Sequence, residues 1–197
     1  MKEIIIATKN KGKVKEFEAL LAPLGYLVQS LLDYPDSIDV EETGTTFEEN
    51  AILKAEAIST HYQRMTIADD SGLAIDYLDG KPGIFSARYA GLAKDDQANI
   101  NKVLEDLTGV AELESRSARF VCALALSIPG GKTKTVEGTC EGYIAMKQQG
   151  ENGFGYDPIF IVKNLNKTMA TLSKEEKNRI SHRAKALEKL IDIIDQS

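Results

Sequence analysis

Short apolar and β-branched runs, each bounded by polar or glycine-containing segments, predict the strands of this protein. Three such runs lie at residues 3–7, 26–31 and 65–68. Two longer runs, at residues 118–128 and 133–143, are joined by a Pro-Gly-Gly turn and therefore predict a hairpin.

Apolar residues spaced three and four positions apart predict helices between these strands. Two of the helices open with a capping box, in which Thr46 is followed by Glu49 and Ser173 by Glu176. The predicted helices span about residues 14–24, 46–62, 94–108 and 173–194.

Composition and charge indicate an ordinary globular protein. The chain has 197 residues, of which 43% are hydrophobic, so we expect one domain over residues 1–197. Its net charge of −6 is spread along the chain, which favours neither nucleic-acid nor membrane binding. There is no signal-peptide or membrane-spanning pattern, and Cys122 and Cys140 lie in apolar or strand-like contexts, so we expect reduced thiols and a cytoplasmic location.

The segment Asp69-Asp70-Ser71-Gly72 has the most unusual chemistry, because two adjacent carboxylates follow an apolar run. Ionised carboxylates repel each other unless a cation or a shared proton relieves them. A Mg²⁺ ion is a common solution, since it takes oxygen ligands from one or two carboxylates and leaves its other positions to water and phosphate. The alternative is that these four residues simply form a turn.

A lysine-rich loop connects the first predicted strand to the first helix. Lys9, Lys11 and Lys13 would add positive charge to a helix N-terminus, which suits a phosphate group. The Walker spacing is absent, however, and solvated lysines are the alternative interpretation.

An acidic loop precedes the second predicted helix. It contains Glu41 and Glu42, and one helical face beyond it carries Asn50 and Lys54 at positions i and i+4. A carboxylate of the loop and Lys54 could therefore face the same cleft, although a solvated helix face explains the spacing equally well.

Residues 151–158 form a loop with two glycines, two aromatic residues and an acid. Phe154 or Tyr156 could stack on a nucleobase and Asp157 could accept a hydrogen bond from it, or both rings could belong to the core. The first half of the last helix is basic, which is also common on solvated helices. Its basic residues are Lys177, Arg179, His182, Arg183 and Lys185.

Six segments in the same order resemble the family of inosine/xanthosine triphosphate pyrophosphatases, house-cleaning enzymes that hydrolyse non-standard purine nucleoside triphosphates. Each segment alone is a weak signal, but together they cover the chain nearly from end to end. The segments are residues 7–13 with Glu16, 42–55, 68–73, 82–89, 153–160 and 181–187.

This resemblance implies an α/β fold, with an elongated mixed β-sheet flanked by helices, and two lobes with a substrate cleft between them. It also implies a homodimer. Asp70 would be the general base and a metal contact, with Glu41 or Glu42 as a further Mg²⁺ ligand; the Glu-x-Gly spacing favours Glu42. The implied substrate-binding residues are Thr8, Asn10 and Lys13, with Lys9, Lys11 and Gly12 of the same loop, Lys54, Ser71, Phe154, Gly155, Tyr156, Asp157, Lys177, His182 and Arg183.

Residue chemistry and resemblance lead to one hypothesis. Water activated by Asp70 and Mg²⁺ attacks the triphosphate of ITP, dITP or XTP, releasing the monophosphate and pyrophosphate. Donors such as His182 and Arg183 would recognise the six-oxo group of the purine. The alternatives are a pyrophosphatase of modified pyrimidine triphosphates, a phosphatase that removes only the terminal phosphate, and a nucleotide-binding module without catalysis.

Overall fold

The computed structural model describes residues 2–195, and within them it contains seven β-strands and five α-helices joined by loops and short 3-10 helices. The strands are β1 (Lys2–Ile6), β2 (Tyr26–Ser30), β3 (Thr66–Ile75), β4 (Ser117–Ser127), β5 (Lys134–Ile144), β6 (Phe160–Val162) and β7 (Lys167–Thr168). The helices are α1 (Lys11–Leu21), α2 (Phe47–Tyr62), α3 (Asp96–Asp106), α4 (Lys174–Ile180) and α5 (His182–Asp195).

The strands form one mixed sheet, in the order β2-β1-β3-β4-β5-β6-β7. Strand β1 lies parallel to both β2 and β3, whereas β6 is antiparallel to β5 and β7. Strands β4 and β5 are neighbours in the sheet, as the predicted hairpin requires. The predicted α/β fold with a mixed sheet and flanking helices is confirmed.

The capping residues read from the sequence begin their helices as expected. Thr46 accepts a hydrogen bond from the Glu49 N–H (3.1 Å), and Ser173 and Glu176 form a complete capping box. The Glu49 carboxylate instead accepts from the backbone N–H (2.7 Å) and hydroxyl of Thr45, so the first box is only half formed.

Two helix boundaries differ from the predictions. Helix α1 ends at Leu21 and is followed by a 3-10 turn, which leaves Leu24 exposed rather than on the buried face. Helix α3 begins at Asp96 instead of Lys94, because the Asp95 side chain caps it by accepting from the Ala98 N–H at 2.6 Å.

The last predicted helix is two helices. Ser181 separates α4 from α5 with an extended backbone (φ −65°, ψ 154°). Serine favours this conformation at helix starts, because its side chain can satisfy backbone groups there. The apolar face predicted for this segment is nevertheless correct, since Leu187 and Leu190 are buried.

The interpretation of Asp69-Asp70-Ser71-Gly72 as a turn is wrong. Strand β3 does not end at the acids, as its apolar beginning suggested, but continues through them to Ile75. It lies between β1 and β4, and Leu73 and Ile75 beyond the acids are fully buried.

The described chain divides into two compact units, the first formed by residues 2–70, 122–138 and 183–195 and the second by residues 71–121 and 139–182. Each has its own apolar core, and the predicted cleft between lobes stays a prediction. No helix within residues 2–195 is both long and apolar enough to cross a bilayer. Core residues of the first unit include Ile4, Ile6, Phe17, Ile58, Leu124 and Leu187, and those of the second include Leu73, Ile100, Phe120, Phe160 and Leu172.

Candidate active site

The two adjacent acids of β3 have different environments. Successive side chains of a strand point to opposite faces of the sheet, so Asp69 and Asp70 do not form one shared carboxylate site. Asp69 is 1% exposed and contacts Lys13 and Arg183, whereas Asp70 is 7% exposed and contacts Asn50 and Lys54. The expected repulsion is therefore relieved by separation and by different cations.

Asp69 lies in a buried ion-pair cluster of the first unit. Its carboxylate pairs with the Lys13 ammonium, accepts from Arg183 Nε at 2.6 Å and from the Cys122 thiol at 3.2 Å. Arg183 also pairs with Glu16. Burial alone would raise the pKa of Asp69, but Arg183 and Lys13 hold that pKa well below its usual range. Asp69 is thus a stably ionised structural group, which makes it a poor general base.

Asp70, Lys54 and Glu42 form a second cluster in the same unit. The Lys54 ammonium donates to Glu42 Oε1 at 2.7 Å, to Asp70 Oδ1 at 3.3 Å and to the Asp69 backbone carbonyl at 2.9 Å. Burial raises the pKa of Asp70, an effect that Lys54 opposes and the Glu42 carboxylate reinforces. A carboxylate with a raised pKa is a stronger base, which suits Asp70 for accepting a proton.

The Glu42 and Asp70 carboxylates are the groups best placed to hold a divalent metal ion. Both already share one cation, Lys54, and both offer the hard oxygen ligands that such ions prefer. Within residues 2–195 no group of three or more His, Cys, Asp or Glu side chains is arranged to coordinate a metal ion. The donor set therefore fits an ion that takes its remaining ligands from water and phosphate. The neighbouring Glu41 is exposed, so the geometry favours Glu42.

The lysine-rich loop is ordered by its own side chains. Asn10 Oδ1 accepts from the Gly12 N–H (2.8 Å) and the Lys13 N–H (3.1 Å), and Thr8 Oγ1 accepts from the Asn10 N–H (3.1 Å). These two N–H groups at the start of α1 are therefore bonded within the protein, and the substrate contacts assigned to this loop stay predictions. An anion here would meet lysine side chains: Lys9 and Lys11 are exposed and Lys13 is half-buried.

A charged pair in the second unit orders the aromatic loop. The Lys177 ammonium donates to Asp157 Oδ2 at 2.6 Å and lies 4.8 Å from the centre of the Phe154 ring. The same Asp157 oxygen accepts from the Phe154 N–H at 3.0 Å. A Cβ on Gly153 would lie 1.9 Å from that oxygen, so only glycine fits there. Phe154 is half-buried, which leaves part of its ring accessible.

Tyr156 is the inward-pointing aromatic residue of this loop, and its predicted substrate contact stays a prediction. It is 5% exposed, packs in the core of the second unit, and donates its hydroxyl to the Ser86 carbonyl at 2.8 Å. The loop carries two aromatic residues, and sequence alone does not show which one points inward. The Gly155 N–H donates to Asp96 at 2.8 Å and is likewise used within the protein.

Three further residues predicted to bind the substrate are His182, Arg183 and Ser71. The His182 ring is buried and stacks on Phe120, with ring centres 4.9 Å apart. Arg183 is 1% exposed, and its Nε and one terminal nitrogen are bonded to the carboxylates of Asp69 and Glu16. Ser71 is half-buried directly after Asp70. The base contacts assigned to His182 and Arg183 therefore stay predictions.

Sequence reasoning missed three groups of this site. It treated Asp69 as a partner of Asp70, it named Asn50 only as a neighbour of Lys54, and it gave Cys122 no role beyond packing. The i, i+4 spacing was a usable signal for Asn50, since Asn50 and Lys54 both contact Asp70. The partners of Asp69 come from distant parts of the chain and left no local signal.

The side chains of this candidate site define a class of enzyme. A buried carboxylate of raised pKa, a second carboxylate, two lysines and a basic helix start are the groups used in metal-assisted hydrolysis of phosphate anhydrides. The chain belongs to the Ham1 family, whose model matches residues 4–193.

Individual relatives agree with that assignment. The dITP/XTP pyrophosphatase of Bacillus licheniformis is 61% identical over 197 residues, covering 100% of both chains. That of Bacillus subtilis is 63% identical over 195 residues, covering 99% of this chain and 98% of the relative. Among solved structures, the Ham1 protein of Staphylococcus aureus is 49% identical with a TM-score of 0.87, covering 99% of each chain. The family resemblance predicted from the sequence is confirmed.

Proposed function

We propose that this protein hydrolyses non-standard purine nucleoside triphosphates (ITP, dITP and XTP) to the monophosphate and pyrophosphate, removing them from the nucleotide pool. The observation that carries the proposal is the cluster in which Lys54 contacts both the Glu42 and the Asp70 carboxylates. The names of the relatives, dITP/XTP pyrophosphatase, support a purine substrate and pyrophosphate as product. They give no support to a pyrimidine substrate, to removal of the terminal phosphate alone or to a non-catalytic module.

Asp70 accepts the proton of the attacking water in this proposal. The new bond forms between the water oxygen and phosphorus while the anhydride bond between the α- and β-phosphates breaks, and pyrophosphate leaves. Lys13 and Lys54 stabilise the negative charge that develops on the phosphate oxygens. Glu42 and Asp70 would hold Mg²⁺, which supplies further positive charge for the same purpose when it is bound.

The groups proposed for the purine lie in the second unit, apart from Arg183. Phe154 offers a partly accessible ring for stacking, and Lys177 and His182 offer donors for the six-oxo group. A site whose donors face an oxo group leaves them unpaired beside an amino group, which disfavours adenine.

We expect dITP, ITP and XTP to yield pyrophosphate in the presence of Mg²⁺ and to yield none with EDTA. dATP and dTTP should be turned over with kcat/KM lower by about 10²-fold or more, because adenine presents an amino group to the donors and thymine has a smaller ring than a purine. Separation of products by anion-exchange chromatography measures this directly. Orthophosphate with a nucleoside diphosphate would refute the proposed reaction, and faster hydrolysis of dTTP would refute the purine preference.

Replacing Gly153 with Ala should weaken substrate binding. The added Cβ would collide with Asp157 Oδ2 and so disturb the Lys177 pair beside Phe154. We expect KM for dITP to rise by about 10-fold, a cost of about 1.4 kcal/mol. Gly130→Ala is the matched control: both glycines have positive φ (81° and 73°), but a Cβ on Gly130 meets nothing within 4 Å. Equal KM values for the two variants would contradict the role of this loop.

The homodimer and the cytoplasmic location are part of this proposal. The family resemblance supports the dimer. Both Cys122 and Cys140 are buried and neither forms a disulfide, which supports a reducing compartment.

A further inference from the structure

Asn50 connects the two segments that carry the proposed metal-binding acids. It lies in the first turn of α2 and is 1% exposed, so its amide must be satisfied within the protein. Its Oδ1 accepts from the Gly44 N–H at 2.8 Å, and its Nδ2 donates to Asp70 Oδ2 at 3.2 Å. One buried side chain therefore bonds to the loop of Glu42 and to Asp70 on β3.

Gly44 is adapted to this contact. It follows Glu42 by two residues, and a Cβ at this position would lie 2.7 Å from Asn50 Oδ1 and 2.7 Å from the Glu49 Cβ. Only a residue without a side chain allows the loop to approach α2 this closely. The bond to Asn50 thus fixes where the Glu42 segment crosses the helix.

Lys54 makes a second connection one helical turn further along. It bonds to Glu42 Oε1 and Asp70 Oδ1, so the two oxygens of the Asp70 carboxylate have different partners. Asn50 holds Oδ2 and Lys54 holds Oδ1, which together set the plane of the carboxylate. Because α2 is a rigid helix of 16 residues, both connections keep a constant spacing.

We propose that Asn50 is a positioning residue, which orients the Asp70 carboxylate and holds the Glu42 loop at a fixed distance from it. This inference rests on the function proposed above. An amide suits the position because it supplies an acceptor for Gly44 and a donor for Asp70 on two separate atoms, whereas an ionised carboxylate of the same length supplies acceptors only. Small displacements of reacting groups have large kinetic effects, about 10²-fold for 1 Å.

The test compares Asn50→Ala with Asn50→Asp and with a control on the same helix. Ser59→Ala removes another buried polar group of α2, whose hydroxyl bonds to the Arg64 carbonyl (2.9 Å) and the Ser127 carbonyl (3.3 Å) and not to Glu42 or Asp70. Asn50→Asp keeps the shape of the side chain and an acceptor for Gly44 but loses the donor to Asp70. It therefore tests the same bond to Asp70 if the alanine variant does not fold.

We expect kcat for dITP to fall by about 10- to 100-fold in both Asn50 variants, because the reacting groups are misplaced. KM should change by less than about threefold, because the substrate contacts remain. Ser59→Ala should keep kcat within about twofold of the original protein at a temperature where all variants are folded. The dissociation constant of Mn²⁺, measured by calorimetry without substrate, should rise several-fold in Asn50→Ala, since the Glu42 loop is no longer held near Asp70.

The outcomes separate this inference from the proposed function. An original protein that releases no pyrophosphate refutes the function, and the Mn²⁺ comparison then still decides whether Asn50 positions the acids. Unchanged kcat in a folded Asn50 variant, unchanged Mn²⁺ binding in Asn50→Ala, or an equal loss of kcat in Ser59→Ala would each overturn the inference. Gly44→Ala combined with Asn50→Ala should cost less than the sum of the two single changes, because both break the Gly44–Asn50 bond; fully additive losses would also overturn the inference.

Discussion

Asp70→Asn abolishes turnover: we expect kcat for dITP to fall by about 10³-fold or more, while substrate binding changes little. Asparagine keeps the size of the side chain but cannot accept the proton from water, and removal of a general base typically costs 10²- to 10⁴-fold. Steady-state kinetics gives kcat, and calorimetric titration of the variant with dITP in Mg²⁺ gives the dissociation constant.

Asp39→Asn provides the control for this variant. Asp39 is an exposed carboxylate three residues before Glu42, so its removal changes the net charge equally without touching the site. Its kcat should stay within about twofold of the original value, as is usual for surface substitutions. If Asp70→Asn retains more than a tenth of the activity, another group accepts the proton and the assignment of the base is wrong.

Asp69→Asn should have the largest effect on stability. It removes the Asp69 carboxylate that pairs with Lys13 and with the fully buried Arg183, and breaking a buried ion pair on one side costs about 3–5 kcal/mol. The free energy of unfolding from urea titrations measures the loss. A change below about 1 kcal/mol would show that the cluster contributes little.

The contribution of Asp69 to the free energy of unfolding should decrease as the pH falls. Its pKa is held well below the ordinary value, so its stabilisation is fully present above about pH 4 and is lost as the pH falls through the lowered pKa. Between pH 5 and pH 2 the original protein should therefore lose more stability than Asp69→Asn. Parallel pH profiles would contradict this account.

Local sequence signals predicted the fold well. Capping residues such as Thr46 and Ser173, and the long runs of β4 and β5 with the Pro-Gly-Gly turn between them, depend only on neighbours along the chain, so the elements were found at nearly correct positions. The break at Ser181 is also local, but serine occurs inside helices often enough that one residue did not outweigh the helical pattern.

The site was harder to predict, because its contacts are not local. Spacing allowed Lys54 and a carboxylate of the acidic loop to face one cleft, and Lys54 and Glu42 are 2.7 Å apart. The burial of Tyr156, in contrast, depends on its bond to the Ser86 carbonyl, 70 residues away in sequence. The commitment of Arg183 to Asp69 and Glu16 depends equally on distant segments, and no spacing along the chain encodes it.

The pairing of β3 with β1 determines which acid performs which task. Ile5 lies opposite Thr66 and Ile6 opposite Ile67, and this register sends Asp69 to one face of the sheet and Asp70 to the other. A slip of one residue would exchange the faces, bringing Asp69 toward Lys54 and Asp70 toward Arg183. An inserted or deleted residue inside the strand, between Thr66 and Asp69, would therefore inactivate the enzyme without altering any catalytic side chain.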